Sequence, residues 1–344
     1  MILPASGRQE KAEGDMVKYI LKRLLWLIPV IIGVITIVFA ITVIMPGDPA
    51  ASFLDANATQ EQIDRIHHEL GLDRPVLERW INYEIGVFTK FDFGRSYMTS
   101  LPVRDEVLQK LPYTLILAFS SVALGCLIGI PLGIFAALKQ YTFGDVATLF
   151  LSVLFVAMPN FWLGMMLVSL FSVNLNWLPA FGVTDPKGWI LPIAVCTIGS
   201  MAGTIRITRS SMLEVMRQDY IRTARAKGQK ENVIVTKHML RNAMIPVATS
   251  VGSGLGNALG GNMTIEVVFA LPGIGNYIVN AINHKDYPAM LGGILVTAIM
   301  FTLVNLLVDI AYVIIDPRLK SQITGKKASK RQFKKMLKEQ GVIA

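Results

Sequence analysis

The chain has 344 residues, of which 53% are hydrophobic and 17% charged, with a mean hydropathy of +0.50 and a net charge of +9. Soluble domains are nearer a quarter charged, so this composition excludes an ordinary soluble protein and places the chain in a lipid bilayer. The positive charge carries no aromatic-interleaved patch or nucleic-acid motif, which removes nucleic acid as a partner.

Residues 1–15 are polar and unpatterned. Met16 opens MVKYILKRLLWLIPV, which reads as a natural start preceded by an extension. Residues 1–18 are expected in the cytoplasm and 19–45 as a first span. Fifteen residues of 24–45 are Leu, Ile, Val or Phe, which favours insertion by roughly 5–9 kcal/mol. The run is too long for a cleaved signal peptide and lacks a small-residue cleavage site. Lys18, Lys22 and Arg23 hold the N-terminus inside.

Residues 46–111 form a soluble insert. Seven Lys or Arg face eleven Asp or Glu between 46 and 110, an acidic balance that suits the extracytoplasmic side. Thr59, with Gln62 three residues later, predicts a capped helix start. His67 and His68 are adjacent, point about 100° apart on a helix, and do not read as a metal pair.

Residues 112–315 are expected to hold five further spans. The second covers 112–138, with Gly125, Gly129 and Gly133 on one stripe for close helix packing. The third covers 146–173, kinked at Pro159. Trp177, Pro179, Pro186 and Trp189 suit an outer interface, and the fourth span follows over 190–205. The fifth, 246–270, carries Gly252, Gly254, Gly256, Gly260 and Gly261 with Asn257 and Asn262. Each glycine costs about 1 kcal/mol against alanine in a helix. Close packing and a helix lining a wet pathway both account for them, and Gly252, Gly256, Asn257, Gly260 and Asn262 are the candidate lining. A sixth span covers 290–315. The tail 316–344 holds nine more Lys or Arg. Six spans place both termini and both strongly cationic segments on the cytoplasmic face. Cys126 and Cys196 lie in apolar runs and read as packing residues.

Between the fourth and fifth spans, 206–245 is the expected cytoplasmic loop. Nine Lys or Arg between Arg206 and Pro246 stand against three acids, which keeps the loop inside. Its middle reads as helix, turn, helix: Ala224, Arg225, Ala226 and Lys227 favour a helix, Gly228 is a natural C′ residue, and Glu231 starts the next helix. Such an amphipathic hairpin suits a groove on a soluble partner.

No phosphate-binding GxxxxGK[ST] loop, HExxH, GxSxG or paired-cysteine pattern occurs, so neither catalytic residues nor a metal site are expected. Glu266 and Asp309 lie near span ends, and the span interiors lack the midplane carboxylates of an ion-coupled carrier. A gated channel or sensor subunit is the other class left open.

These residues resemble the permease subunit of bacterial ABC importers, in the dipeptide, oligopeptide and nickel branch. The resemblance runs from about Met16 to Arg318. It rests on Asp219, Tyr220, Arg222, Thr223, Ala224, Arg225, Ala226, Lys227 and Gly228, followed by His238, Arg241, Asn242 and Pro246. Arg222 stands where the broader family has glutamate. Residues 71–75 (GLDRP), 93–96 (FGRS), 266–269 (EVVF), 272–275 (PGIG), 286–288 (DYP) and 316–318 (DPR) add to it. The resemblance implies an all-α membrane protein of the type I ABC importer permease fold, resident in the bacterial inner membrane. It implies a second homologous permease, two ABC ATPase subunits that bind ATP and Mg, and an extracytoplasmic substrate-binding protein or lipoprotein. It implies that the cationic hairpin is the coupling loop and that peptide is the substrate, with nickel or another small solute as alternative.

Overall fold

The structure, a computed structural model, describes residues 5–46, 48–52 and 59–315. Every regular element among them is helical. The first is α1 (Ala5–Ile44), so the polar stretch before Met16 is helical rather than the unpatterned extension expected. Ala5, Glu10, Lys11, Ala12 and Glu13 are all favourable in helices.

The segment expected to be an insert holds α2 (Gln60–Glu69) and α3 (Val76–Lys90). The Thr59 N–H donates to Gln62 Oε1 at 2.8 Å, as the capping pattern predicts. His67 Nε2 lies 2.8 Å from Asp48 Oδ1 and His68 Nδ1 lies 2.9 Å from Asp73 Oδ2, so the two rings face different partners. No group of three metal-ligating side chains occurs among the described residues.

Helix α4 (Val103–Leu138) begins well before residue 112 and carries Pro112 and Pro131 inside it. Asp105 and Glu106 in its first turn complement the helix dipole and support the earlier start. The expected kink at Pro159 is a break. Helices α5 (Phe143–Ala157) and α6 (Asn160–Leu167), the latter continued by a π-helical turn over Val168–Asn174, meet at 99°. Met158 is extended (φ −78°, ψ 126°), the conformation forced on a residue before proline.

After a 3₁₀ turn at Pro186–Trp189, α7 (Ile190–Met216) runs eleven residues past the expected end of its span at 205. There follow α8 (Asp219–Ala226), α9 (Glu231–Val233) with a π turn at Ile234–Met239, and α10 (Leu240–Gly261). Pro246 lies inside α10 and does not start it. The expected fifth span breaks at Asn262 into α10 and α11 (Met263–Val268). Helix α12 (Ile274–Asn283) fills the following loop, and α13 (Tyr287–Ile315) closes the described chain. The Asp316–Arg318 motif and the basic tail lie outside the described residues, as does the side chain of Asp309.

Among the described residues, four helical segments are long and apolar enough to cross a membrane: Ile20–Ile44, Val103–Leu138, Pro186–Met216 and Tyr287–Val308. The bent pair α5–α6 makes a fifth if it counts as one span. Helix α10, diluted by glycine, serine and asparagine, is not among them.

The centre is α4 against α7, with α10 on both and α13 against α10; α1 and α12 pack on α13, and α5 on α7. The predicted glycine stripe makes the central contact. A Cβ on Gly129 would stand 2.9 Å from Thr204 Cβ and 3.0 Å from the Met201 carbonyl; one on Gly133 would stand 2.6 Å from Thr208 Cβ. Only glycine admits that approach.

Two buried carboxylates join motif pieces that are far apart in sequence. Asp286, 2% exposed, accepts from Ser96 Oγ at 2.5 Å and the Tyr97 N–H at 3.0 Å, tying the FGRS loop to the start of α13. Glu266, 1% exposed, accepts from Thr114 Oγ1 at 2.7 Å and the Asn276 N–H at 3.0 Å. Thr114 Oγ1 in turn accepts the Ile274 N–H at 2.9 Å. A Cβ on Gly273 would collide with the Glu266 carboxylate, and one on Gly275 would reach Met263 Cα at 2.7 Å. The PGIG glycines therefore let a loop backbone close over Glu266. Both groups satisfy the rule that a buried polar group must be hydrogen-bonded.

Candidate functional site: a polar hairpin at the end of α7

Helix α8 is short and two-faced. Ile221 and Ala224, three residues apart, are buried against Met212 of α7, Ala137 of α4, and Ile234, Met239 and Ala243 of the returning chain. Burying side chains of this kind contributes about 1–3 kcal/mol each, so the hairpin is anchored on three helices. Its other face is exposed: Asp219, Tyr220, Arg222, Thr223, Arg225, Ala226 and Lys227.

The turn is as predicted. Gly228 has φ +72°, its N–H donates to the Arg225 carbonyl at 2.9 Å, and the Gln229 N–H reaches the Ala224 carbonyl at 3.4 Å. Left-handed backbone of this kind closes a helix C-terminus and favours glycine. Arg225 then clamps the turn: its Nε and Nη2 donate to Glu231 at 3.2 and 2.6 Å. The Arg225 guanidinium holds the Glu231 carboxyl below its ordinary range. The clamp is therefore present above the usual glutamate range and is lost as pH falls through the lowered value. Both side chains are about half exposed, which limits the pair to about 1 kcal/mol or less.

Not every predicted contact residue is free to reach outward. His238 Nε2 meets Gln229 Oε1 at 2.9 Å, and Asn242 Nδ2 donates to the His238 carbonyl at 2.9 Å. These two fasten the second arm of the hairpin to the turn. Arg222 is 3.8 Å from Asp219 across one exposed turn, a contact worth little. Tyr220, Arg222, Lys227 and Arg241 form the outward-facing chemistry, suited to carboxylates and backbone carbonyls on a partner.

The glycines of α10 divide into two sets. Gly252 and Gly256 are buried, and a Cβ on Gly256 would meet Asn305 Nδ2 at 3.0 Å on α13. Gly256 is a packing position. Ser253, Asn257 and Gly260 are exposed on the open side, and nothing lies within 4 Å of a Cβ built on Gly260. Asn262 is half-buried where α10 breaks, with its Nδ2 unpartnered. The candidate lining is thus a stripe of Ser253, Asn257 and Gly260 ending at Asn262.

The sequence reading missed Asp145. It is 2% exposed in the first turn of α5 and accepts from Arg209 Nε at 2.6 Å and Nη2 at 2.7 Å, with the Tyr141 N–H at 3.0 Å. A lone aspartate opening an apolar run was the available signal.

The chain matches the model of the "Binding-protein-dependent transport system inner membrane component" family over residues 129–321, and that family's N-terminal model over 16–118. It is 41% identical over 338 residues to the dipeptide transport system permease protein DppB of Alkalihalophilus pseudofirmus, covering 89% of this chain and 100% of that one. It is 37% identical to the oligopeptide transport system permease protein AppB of Bacillus subtilis (88% and 99% covered). It is 38% identical to the glutathione transport system permease protein GsiC of Escherichia coli (89% and 99% covered). Among solved structures, an inward-facing MetNI methionine ABC transporter superposes with a TM-score of 0.52 at 17% identity, covering 61% of this chain and 96% of that one, which supports the fold alone. The glycine-packed helical core, the anchored polar hairpin and the two family matches together make this chain a member of the binding-protein-dependent transport system inner membrane component family.

Proposed function

We propose that the chain is the membrane-spanning permease subunit of an ATP-driven peptide importer in the bacterial inner membrane. The observation that carries this reading is the hairpin: a polar, cationic face held rigidly at the end of α7 by Ile221 and Ala224. A rigid polar element fixed to the core can transmit the closing of a soluble partner to the helices. ATPase subunits that bind ATP and Mg supply that closing, and a second homologous permease completes the pathway. An extracytoplasmic binding protein delivers the substrate. The spans are α1, α4, the bent pair α5–α6, α7, the pair α10–α11, and α13, with both termini cytoplasmic and the insert outside. The polar stripe of α10 lines the pathway. Peptide is favoured because the relatives are named for dipeptide, oligopeptide and glutathione transport.

The test is uptake of a labelled short peptide by cells with and without this chain, in a strain lacking other peptide systems. ATP-dependent uptake should disappear with the chain. Uptake that is unchanged would sink the peptide reading and bring nickel or another small solute forward.

The hairpin role has its own test. At Gly228 no atom lies within 4 Å of a built Cβ, so a substitution there meets backbone strain alone. A β-branched residue at φ +72° costs at least about 1–2 kcal/mol. Gly228→Val should reduce transport and substrate-stimulated ATP hydrolysis together by about tenfold, with the protein still membrane-inserted. Wild-type values for both would exclude a coupling role for this turn.

A further inference from the structure

Helix α3 of the insert has three sides. Trp80, Tyr83 and Val87 face the protein, Val87 as part of the buried cluster that contains Ile35 of α1 and Phe93. Glu78, Asn82 and Thr89 form an exposed polar side. The third side is apolar and uncovered: Leu77, Ile81, Ile85 and Phe88, spaced four, four and three residues apart, are 65, 40, 53 and 41% exposed. A helix with a core side, a wet side and a greasy side fits a boundary between protein, water and lipid.

The depth of α3 is readable from its neighbours. The Arg79 guanidinium lies 5.8 Å from the centre of the Phe39 ring, and Arg79, Asn82 and Tyr83 share a cavity of about 250 Å³ with Phe39, Thr42 and Leu291. Phe39 is five residues inside the end of the α1 apolar segment at Ile44. At 1.5 Å per residue this is about 7.5 Å below that end. Leu291 is four residues inside the start of α13 at Tyr287, and Phe93 packs beside Gly292 of the same helix. An interfacial helix buries its apolar side about 5–10 Å into the boundary between headgroups and acyl chains. The level of Phe39, against which Arg79 of α3 packs, falls in that range.

The C-terminal end of α3 adds charge. Lys90, Arg95 and Arg104 surround an open cavity of about 490 Å³ beside Phe91, which is 67% exposed. Two acids lie beside them: Asp92, whose Oδ1 accepts the Gly94 N–H at 2.9 Å, and Asp105, whose Oδ1 accepts from Arg104 Nε at 3.1 Å. Arg95 Nη1 donates to the Ser100 carbonyl at 3.2 Å, so Lys90 and the remaining guanidinium N–H groups face the cavity. Three cations gathered beside an exposed aromatic ring, in an insert that is acidic as a whole, match a phosphate group attached to an acyl chain.

We propose that α3 lies in the headgroup layer of the leaflet facing the insert, with Leu77, Ile81, Ile85 and Phe88 in the acyl boundary and Lys90, Arg95 and Arg104 holding an anionic phospholipid headgroup. Glu84 sits at the margin of the apolar side with both carboxyl oxygens buried and unpartnered, and burial pushes its carboxyl above the ordinary range, toward the neutral form that lipid tolerates. The proposal rests only on α1, α4 and α13 crossing the bilayer; a failed peptide-uptake experiment would leave it standing.

The test uses the assembled transporter in nanodiscs of phosphatidylglycerol and phosphatidylethanolamine. Single nitroxide labels are placed at Ile81, Ile85, Asn82 and Thr89 in a Cys126→Ala, Cys196→Ala background. Labels at Ile81 and Ile85 should collide more with oxygen than with a water-soluble nickel chelate, and labels at Asn82 and Thr89 should do the reverse. The triple variant Lys90→Ala, Arg95→Ala, Arg104→Ala should retain several-fold less phosphatidylglycerol after detergent extraction. Labels at Ile81 and Ile85 shielded from both reagents would mean that a protein partner covers this side, and labels as wet as Asn82 would mean that nothing does. Either result overturns lipid docking. Undiminished phosphatidylglycerol in the triple variant would overturn the headgroup site.

Discussion

Gly133→Leu will remove folded protein from the membrane extract. A Cβ at this position would stand 2.6 Å from Thr208 Cβ and 2.8 Å from the Ile205 carbonyl, and Thr208 is fully buried. The obstacle includes backbone, so no rotamer change relieves it; α4 and α7 must separate. Overpacking a core costs about 1–3 kcal/mol when side chains can move. Here they cannot, and the same strip carries Gly125 and Gly129, so parting the helices at one position loosens all three. A loss of about 3 kcal/mol or more is expected, read as a fall in melting temperature and in the monodisperse fraction after size exclusion. Gly203→Ala, also on α7 but with nothing within 4 Å of its Cβ, is the matched control and should be neutral or slightly stabilising. Equal melting temperatures for the two variants would show that close approach does not set this interface.

The stripe was legible because its signal is one-dimensional. Three glycines at a spacing of four fall on one face whatever they touch, and the sequence needs no knowledge of α7 to predict a close neighbour. The hairpin was legible for the same reason. A capping glycine, helix formers before it and an acid starting the next helix are all local. What the sequence obscured was three-dimensional. The helices end elsewhere than the expected spans because those limits were placed at prolines and charges, whereas α4 runs through Pro112 and α10 through Pro246. Arg206 and Arg209 looked like the start of a wet loop, yet Arg209 has a buried partner on α5 and the helix continues past it.

The motif pieces show the limit most clearly. FGRS and DYP were read as separate matches some 190 residues apart, and their shared purpose appears only when Ser96 meets Asp286. EVVF and PGIG likewise become one feature once the Asn276 N–H is seen to reach Glu266. The long list of α10 glycines failed in the opposite sense. All looked equivalent in sequence, and only the position of Asn305 on α13 separates the packing glycine Gly256 from the open Gly260.

Asp145→Leu and Arg209→Met will each destabilise the protein by about 3–5 kcal/mol, and the double variant will recover most of that loss. The pair is bidentate, with Asp145 2% and Arg209 18% exposed in their side chains. Removing one member strands the other charge where water scarcely reaches it, which is the costly event. Removing both replaces a desolvated pair by apolar side chains of similar size, which is often neutral. Recovery will not be complete, because the Tyr141 N–H also donates to Asp145 at 3.0 Å and the double variant leaves it without that acceptor, at about 1 kcal/mol. A double-mutant cycle on melting temperature and denaturant midpoint separates these terms. The pair also joins α5 to α7, and α7 leads into the hairpin, so transport is a second readout. If the double variant folds but transports poorly, the ion pair holds the two helices in a register that coupling needs. If it transports normally, the pair contributes stability alone. Losses that simply add would show that Asp145 and Arg209 act through separate contacts, against the geometry that joins them.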